Sequence, residues 1–203
     1  MPFRSPSLSV EQRRAEAEDF LDRCHESRTI PIPIEEIVEF ELSMDVFAID
    51  GIKEELGVDA FLSSDLGTIV VDAWVVEHAP ARLRFSRAHE IGHYWIHDQL
   101  YQDNKIASVQ DWKRIQDTIG EGDYDVLERQ ANRFAGFVLM PGDLLRTNFA
   151  DVRARAQSAG IGPERLDHQP YRQRVIQELA ARFAVSDRAM EIRLVDEGLL
   201  SRL

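Results

Sequence analysis

The segment Arg87-Ala88-His89-Glu90-Ile91-Gly92-His93 holds the most specific arrangement of reactive side chains in this sequence. Its H-E-x-x-H pattern is the one in which two histidines bind one zinc ion and the intervening glutamate acts as general base. Helix geometry supplies the reason. Positions i and i+4 lie about 40° apart round the axis and about 6 Å apart along it, so two imidazoles converge on a single ion. Glu90 sits one step round, within reach of a water on that ion. The chemistry to expect is metal-assisted hydrolysis.

Catalytic zinc takes three protein ligands and keeps one position open. Glu128, in Glu128-Arg-Gln-Ala-Asn132-Arg-Phe-Ala135, is a candidate for the third, and a surface glutamate accounts for the same spacing equally well. Around it Leu127, Ala131, Phe134 and Val138 recur at helical period as a buried stripe, with Glu128 and Asn132 one turn apart along its flank. Small side chains at Ala131 and Ala135 let this helix come close to the first. Asn132 is then placed to orient a ligand histidine through the ring nitrogen turned away from the metal. His97 continues the series His89, His93, but lies about 12 Å along the axis from His89, so the two cannot share an ion. It reads as a supporting residue. His25, His78, His168 and Cys24 have no partner pattern and read as ordinary structural or surface positions.

These residues need a scaffold. A helix over 9–27, capped by Ser9, is followed by an extended Thr29–Ile34 containing two prolines. Glu35, Glu36, Glu39 and Glu41 read as a solvated helix face rather than a metal cluster. Strands are expected at Val46–Ile49, Val58–Leu62 and Thr68–Val76, the last two forming a hairpin with Gly67 at positive φ. The catalytic helix is expected from about Ser86 to Gln99, with Ala88, Ile91 and Trp95 as its core stripe. Residues 102–124 read as a polar loop or weak helix around Trp112 and Ile115. A second strong helix runs from Tyr124 to Met140, stopped by Pro141-Gly142, and two or three more follow. The strand Thr68–Val76, with Val71 and Trp74, is the expected place for an extended substrate to pair by β-addition.

Composition narrows the class. The 203 residues are 44% hydrophobic and 30% charged, with a net charge of −12 and one cysteine. An acidic balance argues against a general nucleic-acid coat, a lone cysteine excludes an internal disulfide or thiolate zinc site, and no apolar run spans a bilayer. The N-terminal MPFRSPSLSVEQRR lacks the apolar stretch of a secretory signal, so a cytoplasmic protein is expected. Charge is uneven: residues 141–203 carry ten arginines against nine carboxylates, while residues 1–140 are strongly acidic. The chain is accordingly divided into a core over 1–140 and a helical region over 141–203.

The blocks LRFSRAHEIGHYWIH and ERQANRFAGFVLMP resemble the ImmA/IrrE-type metallopeptidases, and the tail LAARFAVSDRAMEIRLVDEGLL is similar to the helical region these proteins carry after the catalytic core. The resemblance implies His89, His93 and Glu128 as zinc ligands and Glu90 as the catalytic base. It implies an α+β fold, a mainly helical zincin-like core with a small antiparallel sheet and a short helical C-terminal region. It also implies an endopeptidase that cuts a helix-turn-helix transcriptional repressor of a mobile element or stress response. The 34 residues between His93 and Glu128 form an Asp-rich insertion expected to shape the cleft, and with the sequence ending at Leu203 a built-in C-terminal sensor domain is not expected. A His₂Glu set accepts Zn²⁺ and also Mn²⁺ or Fe²⁺. Two other readings stand beside it. Arg172–Leu200 has the pattern of a DNA-binding helix-turn-helix, with Ala184-Val185-Ser186 as its turn. A repressor-sequestering protein with a structural or idle metal site would need no Glu90.

Overall fold

A computed structural model describes residues 8–63, 65–99, 111, 114, 121–165 and 168–201. Ser9 opens α1 (Val10–Cys24) with a capping box: its hydroxyl accepts from the Gln12 N–H, and the Gln12 side chain accepts from the Ser9 N–H. The proline-bearing segment leads into α2, a short α-turn (Ile34–Glu36) that continues as π-helix over Ile37–Glu41. Then come β1 (Asp45–Ile49), α3 (Ile52–Leu56), β2 (Ala60–Leu62), β3 (Thr68–Asp72), α4 (Ala73–His78) and α5 (Pro80–Ile96). After the segment between them come α6 (Glu121–Leu139), α7 (Gly142–Ser158), α8 (Tyr171–Phe183) and α9 (Asp187–Asp196). The fold is α+β and mostly helical.

The sheet is mixed rather than antiparallel. Its order is β1-β3-β2, with β2 antiparallel and β1 parallel to β3. The expected β2–β3 hairpin is present, but the left-handed residue in its turn is Leu66 (φ 56°) and not Gly67. The strand expected to run to Val76 stops at Asp72. There the buried carboxylate accepts from the Trp74 N–H at 3.0 Å and from the Lys53 N–H at 3.0 Å, and this cap starts α4. The helix that carries His89 and His93 begins six residues before the expected start, with Pro80 in its first turn where a missing N–H costs nothing. The expected loop or weak helix over 102–124, with Trp112 and Ile115, lies mostly outside the described residues, as do most of the Asp-rich insertion and residues 1–7.

One continuous core runs from Ala17 and Phe20 in α1 through Val71, Ile91 and Phe134 to Met190, Leu194 and Leu200. It therefore crosses the break at Met140–Pro141. Arg84 on α5 ties three parts of the chain together: it donates to Glu35, to the Ile32 carbonyl and, at 3.1 Å, to the Ala184 carbonyl. The expected turn at Ala184–Ser186 is present, with Ala184 left-handed and Ser186 capping α9 through the Ala189 N–H. Among the described residues no helix is long and apolar enough to cross a membrane.

Candidate metal centre

Two contacts bring α5 and α6 together at the site. Gly92 faces Ala131 so closely that a Cβ at Gly92 would lie 3.0 Å from the Ala131 Cα and 3.3 Å from the Phe134 ring. Any side chain there would push the helices apart. This approach brings Glu128, 35 positions after His93, to the two imidazoles. Glu128 Oε2 lies 3.2 Å from His89 Nε2, Glu128 Oε1 lies 3.3 Å from His93 Nε2, and the two Nε2 atoms are 3.0 Å apart.

The outer ring nitrogens fix what the inner ones can do. His89 Nδ1 is 3.2 Å from Asn132 Oδ1, an acceptor, so the His89 proton sits on Nδ1. His97 Nε2 donates to Gln130 Oε1 at 3.0 Å, which leaves His97 Nδ1 as an acceptor for His93 Nδ1–H at 3.1 Å. In their neutral tautomers both histidines turn Nε2 lone pairs toward each other and toward a carboxylate. Such a convergence needs positive charge between the groups, supplied by a proton on Nε2 or by a metal cation. Their separations also match the edge of about 3.3 Å expected for a tetrahedron of nitrogen and oxygen ligands around zinc. Among the described residues, His89, His93 and Glu128 are the set whose ligating atoms all lie within 4.8 Å of one another.

The carboxylates favour a positive charge at this point. Burial pulls His89 down, but the hydrogen bond it donates to Glu128 and the charges of Glu90 and Glu128 outweigh it and raise it to about 9. Burial pushes Glu128 up, yet the two histidines hold it well below the usual carboxylate range. His97 is pushed down to about 3 by burial and by His93, which keeps it neutral and its Nδ1 free to accept. Glu90, only 4% exposed, is raised by burial against the pull of the two histidines, with a hydrogen bond from the Leu62 backbone favouring its charged form.

His89, Glu90 and His93, together with Glu128 and Asn132, line a cleft of about 220 Å³ that Gly57–Ala60 also line. His97 lies behind it, buried and bonded to His93. The expected substrate strand is corrected by the topology. β3 is central and paired on both edges, Val71 is fully buried, and Trp74 stands on α4, stacked on His78. The strand edge at the cleft belongs to β2. Ser63 N–H donates to Thr68 and Asp72 N–H to the Asp59 carbonyl. By antiparallel alternation the backbone groups of Ala60 and Leu62 therefore point away from β3.

Gln130 is a participant that the sequence reading left unassigned. It falls three residues after Leu127 and four before Phe134, so it is a polar residue inside an apolar stripe, and it is 1% exposed. Gln130→Leu is expected to free His97 and lower metal affinity about 10- to 100-fold, read by competition with a chromogenic chelator.

Residues 41–195 match the family described as the IrrE N-terminal-like domain of peptidases M78. Among solved structures the fold is similar to a Mycobacterium tuberculosis transcriptional regulator, with a TM-score of 0.56 and 17% identity over 90% of this chain. The chain spans 55% of that protein's length. Comparison with curated proteins gives no match.

Proposed function

The chain belongs to the IrrE N-terminal-like peptidase family, and on that premise we propose that it is a metal-dependent endopeptidase that cuts a helix-turn-helix transcriptional repressor. The observation that carries this reading is the convergence of two imidazole Nε2 atoms and the Glu128 carboxylate beside a buried glutamate. His89, His93 and Glu128 would hold the ion; Zn²⁺ suits two imidazoles and a carboxylate, and Mn²⁺ or Fe²⁺ also fit. When bound, the ion supplies a Lewis acid that polarises the scissile carbonyl and acidifies a water.

Glu90 takes the proton of the attacking water and later delivers it to the leaving nitrogen. Its burial suits both steps, because a raised pKa lets the carboxyl keep the proton between them. The Leu62 amide holds the carboxylate in place. The edge of β2 at the cleft, where the Leu62 N–H already bonds Glu90, would receive an extended substrate through the Ala60 backbone, with Gly57–Ala60 lining the cleft. Asn132 and His97 act on the ligand histidines, not on substrate.

A transcriptional regulator as structural neighbour is in keeping with a role in transcription control. DNA binding through 172–200 gains less support, since α9 presents Asp187 and Glu191 beside Arg188, a poor surface for phosphates. The test is incubation with the repressor encoded beside this chain, with and without chelator, reading products by mass. Two fragments whose masses sum to the repressor plus one water are expected, lost on chelation and restored by Zn²⁺. Intact repressor in every arm rejects the reading.

A further inference from the structure

A second cleft, of about 600 Å³, opens between α5, α6 and α9 and shares Asp59, Phe85, Ser86 and Asn132 with the metal-site cleft. Its lining has two characters. Phe137, Met140, Ala189 and Ile192 are apolar, and Ile192 is 45% exposed. Five arginines line it against two aspartates, in a chain of net charge −12.

Most of these arginines have local partners. Arg82 pairs with Asp59, Arg133 with Asp196, Arg129 loosely with Asp125 at 3.9 Å, and Arg188 with Glu191 at 3.4 Å. Arg193 differs. It is 4% exposed, its Nη1 binds Glu197, its Nε donates to the Met140 carbonyl, and its Nη2 has no hydrogen-bond partner among the described residues. A buried guanidinium N–H with no acceptor is costly, and a carboxylate would remove that cost. Glu197 does not neutralise the surroundings, because Arg14 and Arg146 bind it as well.

We propose that this groove docks an acidic, amphipathic segment of the protein substrate, seating an apolar side chain over Ile192 and Met140 and a carboxylate against Arg193. The proposal rests on the peptidase reading and adds where the substrate is held beyond the scissile bond. A small anion would fill only the Arg193 end and leave the apolar wall uncovered. A protein segment covers both, and the shared wall at Ser86 and Asn132 leads it directly into the catalytic cleft and along β2.

The test measures binding rather than cutting. Full-length Glu90→Gln protein loaded with Zn²⁺ is titrated into a fluorescein-labelled amphipathic peptide bearing leucines and glutamates, and into its glutamine-for-glutamate counterpart, by anisotropy. The glutamate peptide is expected to bind at least about 10-fold more tightly. Arg193→Lys keeps a charge facing Glu197 but has no Nη2, and is expected to remove that preference. Arg129→Glu with Arg188→Glu, both on the groove rim, is expected to do so with folding unaltered in thermal melts. Ile192→Asp weakens both peptides. Equal binding of the two peptides, or a preference that survives the rim reversals, overturns the proposal. So does displacement of the peptide by millimolar inorganic phosphate or by duplex DNA, which would mark a phosphate site. Docking without cleavage by the wild-type protein would remove the peptidase reading alone, and cleavage without a glutamate preference would remove the docking proposal alone.

Discussion

Glu90→Gln is expected to lower cleavage by about 10³-fold, or about 4 kcal/mol of barrier, while metal content stays at the wild-type level. The substitution preserves shape and keeps an oxygen that accepts from the Leu62 amide. It removes no member of the His89–His93–Glu128 set. What it removes is the carboxylate, one helical step from His89, that takes a proton from water and returns it in the proposed mechanism. The side chain is buried and its ionisation is opposed by burial, so a neutral amide costs less to bury and the melting temperature should hold or rise. Metal analysis, melting and product mass together separate three mechanisms. An uncut complex trapped on the variant, with metal bound, marks proteolysis. A variant that still relieves repression marks sequestration. A variant that cuts at the wild-type rate removes Glu90 from the mechanism.

The parts of this site that were readable from the sequence are those that helix periodicity alone positions. His89, Glu90 and His93 occupy one helix, and Asn132 is one turn from Glu128, so their relative placement needs only the 3.6-residue repeat. Whether Glu128 reaches the histidines depends on the distance between two helices. That distance is set by Gly92 packed on Ala131, a contact visible only when both helices are in hand. The sheet was harder. Strand-like composition identified three strands, but composition does not state which strand lies in the middle, and placing β3 there moves the free edge, and with it the substrate, to β2. The end of β3 is hidden in the sequence for a local reason: Asp72 lies within a run of β-formers, Thr68-Ile-Val-Val and Trp74-Val-Val, yet its carboxylate caps a helix. Gln130 carries a usable signal, a polar residue in a buried stripe whose partner is the equally buried His97.

Glu197→Gln is expected to destabilise the protein by about 3 to 5 kcal/mol, lowering the melting temperature by about 10 °C. The carboxylate is 5% exposed and holds Arg14 at 2.6 Å, Arg146 at 2.8 Å and Arg193 at 2.5 Å. The start of α7 passes directly over this group, since a Cβ on Gly142 would lie 2.7 Å from Arg14 Nη1. Arg14 and Arg146 can turn toward solvent, but Arg193, whose side chain is 4% exposed, cannot. Neutralising the one anion leaves three guanidinium groups facing each other, with Arg193 itself buried. Burial pushes the Glu197 carboxyl up, but its hydrogen bond to Arg193 and the charges around it hold it below the usual value. A carboxylate with a depressed folded pKa adds stability that is complete above its unfolded value of 4.5 and is lost as pH falls through the folded one. The wild-type advantage over Glu197→Gln should therefore be full at pH 7 and shrink on acidification below about pH 4. Parallel thermal melts across that range measure it. Equal melting temperatures at neutral pH would mean that the arginines relax into solvent and that the cluster contributes no stability. A large gap that closes in acid would mean that Glu197 anchors α9, and with it the Arg193 wall of the groove, to the α1 and α7 side of the molecule.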